Sequence, residues 1–226
     1  MIKFINVSKI YPPNVQALDN VSFYIKAGEF VSLVGQSGSG KTTLVKLLIG
    51  EERVSQGQIM IGNWDITKLS QSQAPYLRRQ AAVIFQDYKL LTKKTLLENV
   101  EFALQVCGQP MKKIKPIAPQ VMKIVGLESK MHRYPSEVSG GEKQRTAIAR
   151  ALVYQPKVLL ADEPTGNLDS INAKEIIDLL LKINSFGTTV LLVTHNRDIV
   201  NQLKRRVLTL HDGRLVSDQA VGKYMI

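Results

Sequence analysis

Gly35-Gln36-Ser37-Gly38-Ser39-Gly40-Lys41-Thr42 stands between the apolar run Phe30-Val31-Ser32-Leu33-Val34 and the segment Leu44-Val45-Lys46-Leu47-Leu48. The first run reads as a strand and the second as a helix, so the glycine-rich stretch is the loop joining them. Such a loop turns backbone N–H groups inward around phosphate oxygens, and the positive end of the following helix adds a favourable field. Lys41 brings a mobile positive charge, and Thr42 a hydroxyl suited to Mg²⁺, which takes hard oxygen ligands and shares them with a nucleotide. The run of contacts expected for a nucleotide is Gly35, Gln36, Ser37, Gly38, Ser39, Gly40, Lys41, Thr42 and Thr43.

Outward from this loop the pattern is that of an α/β protein. Val83-Ile84-Phe85, Val158-Leu159-Leu160-Ala161 and Val190-Leu191-Leu192-Val193 are apolar without alternation, as in parallel strands buried on both faces. The first thirty residues alternate instead, with turns at Pro12-Pro13-Asn14 and Ala27-Gly28, which predicts short antiparallel strands. Helices are expected over 142–154, stopped by Pro156, and over 173–184, ended by Gly187. Residues 87–152 lack strand signals and read as mostly helical, with breaks at Gly108-Gln109-Pro110, at Pro116 and Pro119, and at Tyr134-Pro135. The expected organisation is one domain over 1–226. Residues 1–86 and 153–226 would form a core with a mostly parallel sheet and an N-terminal antiparallel β subdomain, and residues 87–152 an inserted helical subdomain.

At 226 residues the chain can bury one ample core. Its single cysteine, Cys107, leaves no internal disulfide or cysteine metal cluster, which fits a reducing compartment. The N-terminal residues lack a secretory signal, and no run approaches eighteen consecutive apolar residues, so the expectation is a cytosolic protein unless a partner holds it at a membrane. A net charge of +11 admits nucleic acid, an anionic membrane surface or an acidic protein face as partners. The basic pairs are not interleaved with the aromatics of a stacking groove, so nucleic acid is not expected, and peripheral contact with an anionic membrane stays open. Residues 87–152 hold twelve Lys/Arg against six Asp/Glu, so much of the excess sits in the helical stretch.

In a doubly wound sheet ligands gather at the carboxyl ends of the strands. Gln86 follows Phe85, Asp162-Glu163 follows Ala161, and His195 follows Thr194, so all three are expected at the edge that carries the phosphate loop. Asp162 suits a Mg²⁺ shell together with Thr42 and Gln86. Glu163, one residue on, can orient and deprotonate an attacking water, Gln86 can hydrogen-bond that water or the ion, and His195 can hold the γ-phosphate. Ser139, Gly140, Gly141 and Glu142 open a second helix, hence a second anion site. One domain needs one γ-phosphate site, so the second suggests a nucleotide held by another molecule.

In this order and spacing, the phosphate loop, Gln86, Val138-Ser139-Gly140-Gly141-Glu142, Asp162-Glu163 and His195 resemble the ATP-binding subunits of ABC systems over essentially the whole chain. The resemblance implies a P-loop ABC ATPase fold with ATP and Mg²⁺ as ligands. It also implies a homodimer formed on ATP binding, in which each ATP lies between one copy's phosphate loop and the other's Ser139 and Gly141. Asn167-Leu168-Asp169 matches the loop that crosses the dimer interface, and Tyr11 the aromatic that stacks on adenine. Val138 and Glu142 stand where the wider family most often has leucine and glutamine. Val83-Ile84-Phe85-Gln86-Asp87-Tyr88-Lys89-Leu90-Leu91, with Tyr11-Pro12 and Leu160-Ala161-Asp162-Glu163-Pro164-Thr165-Gly166-Asn167-Leu168-Asp169, is similar to the family's cell-division branch. That branch implies an integral membrane partner resembling FtsX, regulation of cell-wall hydrolysis, and a peripheral place on the cytoplasmic face of the plasma membrane at the division site. The alternative is an ATPase of lipoprotein-release or macrolide-type export, whose members share the 161–169 stretch.

Overall fold

The computed structural model describes residues 1–222 and 224. In chain order the elements are β1 (Ile2–Tyr11), β2 (Val15–Ile25), β3 (Phe30–Gly35), α1 (Lys41–Leu48), β4 (Gln56–Ile61), β5 (Trp64–Asp65), α2 (Ala74–Gln80), β6 (Ala81–Ile84), α3 (Leu96–Val106), α4 (Met111–Ile124), α5 (Gly140–Leu152), β7 (Val158–Asp162), α6 (Ser170–Ser185), β8 (Thr189–Val193), α7 (Arg197–Leu203), β9 (Arg206–His211) and β10 (Arg214–Gln219). Among the described residues no helix is long and apolar enough to cross a membrane. The chain divides into two compact units.

The first unit holds Met1–Val83, Lys157–Glu163 and Leu181–Ile226. Its central sheet runs β10-β9-β3-β8-β7-β6, with β3 parallel to β8 and β9 and β7 parallel to β8. Every residue of β3 and β8 is buried, which is why these strands carry no polar alternation. A second sheet, β2-β1-β4-β5, is antiparallel. Its alternation buries Ile2, Phe4, Phe23 and Ile25 on one face, where the Phe4 and Phe23 rings stack with centroids 4.5 Å apart. Arg206 ties β9 to its surroundings through Glu29 at 3.0 Å and Asp218 at 2.7 Å.

The second unit holds Ile84–Pro156 and Pro164–Leu180, so the segment read as helical, 87–152, lies within it. The added stretch is bound to it by side chains: Gln86 pairs with Asn167, and Arg145 with Glu175 at 2.6 Å. Pro116 and Pro119 do not break the chain, contrary to the sequence expectation, and α4 runs through both. Ile114, Ala118, Val121 and Met122 form one buried stripe that holds the helix to its neighbours. Lys112 and Lys115, whose carbonyls lose their helical donors to Pro116 and Pro119, are exposed, so those carbonyls can turn to water. α5 starts at Gly140, two residues before the expected start, because Ser139 caps it and Glu142 completes a reciprocal capping box.

Candidate functional site

In the first unit, register sets the site. Leu33 on β3 lies beside Val193 on β8, which in turn lies beside Asp162 on β7, so three parallel strands end together. Gly35, Asp162-Glu163 and Thr194-His195 therefore leave the sheet at one edge.

The phosphate loop closes on itself through Ser39 N donating to Gln36 O at 3.2 Å, and α1 starts with Leu44 N donating to Gly40 O at 2.9 Å. Gly40, the cap of α1, has φ +101°, and a Cβ there would stand 2.5 Å from Ala17 O. Only glycine serves at that point. α1 has neither a capping side chain nor an acidic residue in its first turn, so its leading N–H groups keep their positive field for an external anion. That arrangement fits a nucleotide's phosphates. Lys41 is buried, and its Nζ donates to Gly35 O and Gln36 O, each at 2.8 Å. Burial pushes its pKa down, while the negative charges of Glu163 and Asp162 act in the other direction. A desolvated ammonium beside two carboxylates is a strong, unscreened partner for anionic oxygens.

Glu163 has φ +49°, a left-handed conformation rare for a side-chain-bearing residue. Its surroundings over-determine it. Its N donates to Val193 O at 2.9 Å, Oε1 accepts from His195 N at 3.0 Å and lies 2.6 Å from His195 Nδ1, and Oε2 accepts from Thr194 Oγ1 at 3.2 Å. The carboxylate is mostly covered, at 16% exposure, while the His195 side chain is 70% exposed. Sequence reading overlooked Thr194, whose hydroxyl also accepts from Asn196 N at 3.1 Å. Its signal was a hydroxyl between the end of an apolar strand and a histidine. Thr42 and Asp162 are hard oxygen donors of the kind Mg²⁺ takes. Tyr11, at the end of β1, has Lys9 Nζ 4.6 Å from its ring centroid.

The remaining sequence candidates lie in the second unit. Gln86 Nε2 donates to Asn167 Oδ1 and Asn167 Nδ2 to Gln86 O, both at 3.3 Å, so the two side chains clasp across 81 residues of sequence. Ser139 Oγ accepts from Glu142 N at 3.3 Å, and Ser139 N donates to Glu142 Oε2 at 2.9 Å. The other oxygen of Glu142 takes Lys130 Nζ at 2.5 Å. A Cβ on Gly141 would meet Asn172 Oδ1 at 2.1 Å, and one on Gly140 the Tyr88 hydroxyl at 3.0 Å. Asn172 is held in turn by Asp169, which accepts from Asn172 N at 2.9 Å and Nδ2 at 2.6 Å. Arg150, on α5 with Gly140 and Gly141, donates to Tyr88 O at 2.9 Å and Lys89 O at 2.5 Å. Lys130, Tyr88, Asn172 and Arg150 carried no local sequence signal, because each acts on a residue far away in the chain.

The model of the ABC transporter family matches residues 18–166. The cell division ATP-binding protein FtsE of Streptococcus pneumoniae is 46% identical over 224 residues, 99% of this chain and 97% of its own. The FtsE of Escherichia coli is 45% identical over 215 residues, 95% and 97% of the two chains. Among solved structures, the ATP-binding cassette MJ0796, dimeric in a post-hydrolysis state with ADP and Pi, superposes with TM-score 0.87 at 34% identity, covering 99% of this chain and 100% of that one. CbiO1 of Clostridium perfringens, part of the ABC transporter complex CbiONQ, gives TM-score 0.90 at 30% identity over 97% and 88% of the two chains. With the phosphate loop, the acidic strand end and the capped second helix in place, these likenesses converge: the chain is an ATPase of the ABC transporter family, similar over nearly its whole length to the cell division ATP-binding proteins FtsE.

Proposed function

We propose that this ATPase is the energy-converting subunit of a membrane complex in cell division, working as a homodimer that forms around ATP. The loop amides from Gly35 to Thr43 and the Lys41 ammonium hold the β- and γ-phosphates, and Tyr11 lies against the adenine. Thr42, Asp162 and Gln86 would hold Mg²⁺, which when bound would neutralise charge on the phosphate oxygens. Glu163 accepts a proton from the attacking water, and its fixed position between Thr194 and His195 supports that role. His195 keeps the γ-phosphate in line. Ser139, with the amides of Gly140 and Gly141, closes on the nucleotide held by the other copy.

The partner in this reading is an integral membrane protein resembling FtsX, which holds the dimer at the cytoplasmic face of the plasma membrane and passes the ATP cycle to cell-wall hydrolysis. One observation carries it: identity to FtsE runs over 99% of the chain, well beyond the family's common stretch at 18–166. The test is affinity isolation of the tagged chain from detergent-solubilised membranes, followed by identification of the companion polypeptide. An FtsX-like membrane protein is expected. A permease with a solute or lipid path would replace division with export.

A further inference from the structure

The two helix starts proposed to meet ATP differ in charge. α1 has no acidic residue in its first turn, whereas α5 carries Glu142 there. An ionised carboxylate in the first turn suits the helix itself but opposes a phosphate approaching the same N–H groups. The side chain of Glu142 is only 11% exposed, so water screens it little. Burial by itself raises its pKa, but the hydrogen bonds from Lys130 and from Ser139 N outweigh that and hold it below the usual carboxylate range, so it stays charged at neutral pH.

Lys130 is the cation that answers this charge; its side chain is half exposed, but the backbone that carries it is fixed. It ends the short turn Glu128–Lys130, with Lys130 N donating to Leu127 O at 3.1 Å and Leu127 itself buried. The next residues are pinned to the start of α3 by Leu97 N donating to Met131 O at 2.8 Å and Leu96 N to Arg133 O at 2.9 Å. With the site reading above as its basis, we infer that Lys130 is a positioning residue for the shared ATP site. Its ammonium neutralises Glu142, so Ser139 gains a rigid carboxylate anchor without turning the helix start against the γ-phosphate of the other copy.

The test uses the full chain carrying Glu163→Gln to slow hydrolysis, with MgATP-dependent dimerisation followed by sedimentation velocity. Lys130→Met should weaken the ATP-bound dimer on the order of tenfold, the scale of one partly screened charge facing a phosphate. Lys130→Arg should hold the dimer, and Lys130→Met combined with Glu142→Gln should regain it to within about threefold, because the charge to be neutralised has gone. Thermal melts of each variant check that the fold is retained. A double variant as weak as Lys130→Met alone would show that Lys130 acts by packing and overturn the inference while leaving the shared site standing. A parent that stays monomeric with MgATP would bring down the shared site, and this inference with it.

Discussion

Gly141→Ala probes the contact between α5 and the 167–172 segment within the second unit. The added methyl would lie 2.1 Å from Asn172 Oδ1 and 2.8 Å from Asn172 Cγ, far inside van der Waals contact. Asn172 cannot simply swing away, because Asp169 holds both its N and its Nδ2. Forcing a methyl into such a space costs about 1–3 kcal/mol. Alanine recovers up to about 1 kcal/mol over glycine within a helix. With that recovery the net loss is about 0–2 kcal/mol, or up to roughly 8 °C in Tm for a chain of this size. In the Asn172→Ala background the obstructing amide is gone, and Gly141→Ala should become neutral or slightly stabilising. Thermal and urea unfolding of the four proteins gives a coupling of about 1–3 kcal/mol if the clash is the cause, since the helix gain is common to both backgrounds. Equal costs of Gly141→Ala in both backgrounds would refute the steric account.

Glu163→Gln should lower ATP turnover by about 10²–10⁴ while leaving nucleotide binding intact, since glutamine still offers an oxygen to His195 N. Phosphate release with parallel nucleotide titration measures both, and near-parental turnover would remove Glu163 from the role of base. Acid stability should depend on Glu142. Its pKa is lower folded than unfolded, so the unfolded chain binds more protons as pH falls through about 4.3 and below, and stability present above that range is lost there. Urea unfolding across pH 3.5–7, an interval set by the ordinary carboxylate range of about 4, should show a shallower acid loss for Glu142→Gln. An unchanged slope would remove that carboxylate from the acid response.

Local signals made the sheet legible. The unbroken apolar runs around 158–161 and 190–193 became β7 and β8, because a strand buried on both faces leaves its mark residue by residue. The hairpin of β9 and β10 was less visible: β10 alternates half-buried with exposed residues and lies at the sheet's edge, so its pattern is weak. α4 was misread at its prolines, since the stripe Ile114, Ala118, Val121 and Met122 outweighs the loss of hydrogen bonds that water can replace. At the site, contiguous stretches such as 35–43 and 161–169 carried their chemistry in their spacing. What sequence could not display were pairings made across folds of the chain: Gln86 with Asn167, Gly141 with Asn172, Glu142 with Lys130. Nothing in the residues beside either member names the other, because contact there is decided by the path of the backbone.

Arg150 adds a mechanical constraint. Its planar fork grips the carbonyls of Tyr88 and Lys89 from a helix whose opposite end is Ser139, about 17 Å away at the α-helical rise. Parting that grip would leave a largely desolvated guanidinium and the half-buried Tyr88 carbonyl without their partners, a real cost even though water can reach the exposed Lys89. The chain following Gln86 is thus riveted to the helix like a blade to its shaft. A movement of the helix therefore bears directly on residues 88 and 89, the two positions its arginine holds.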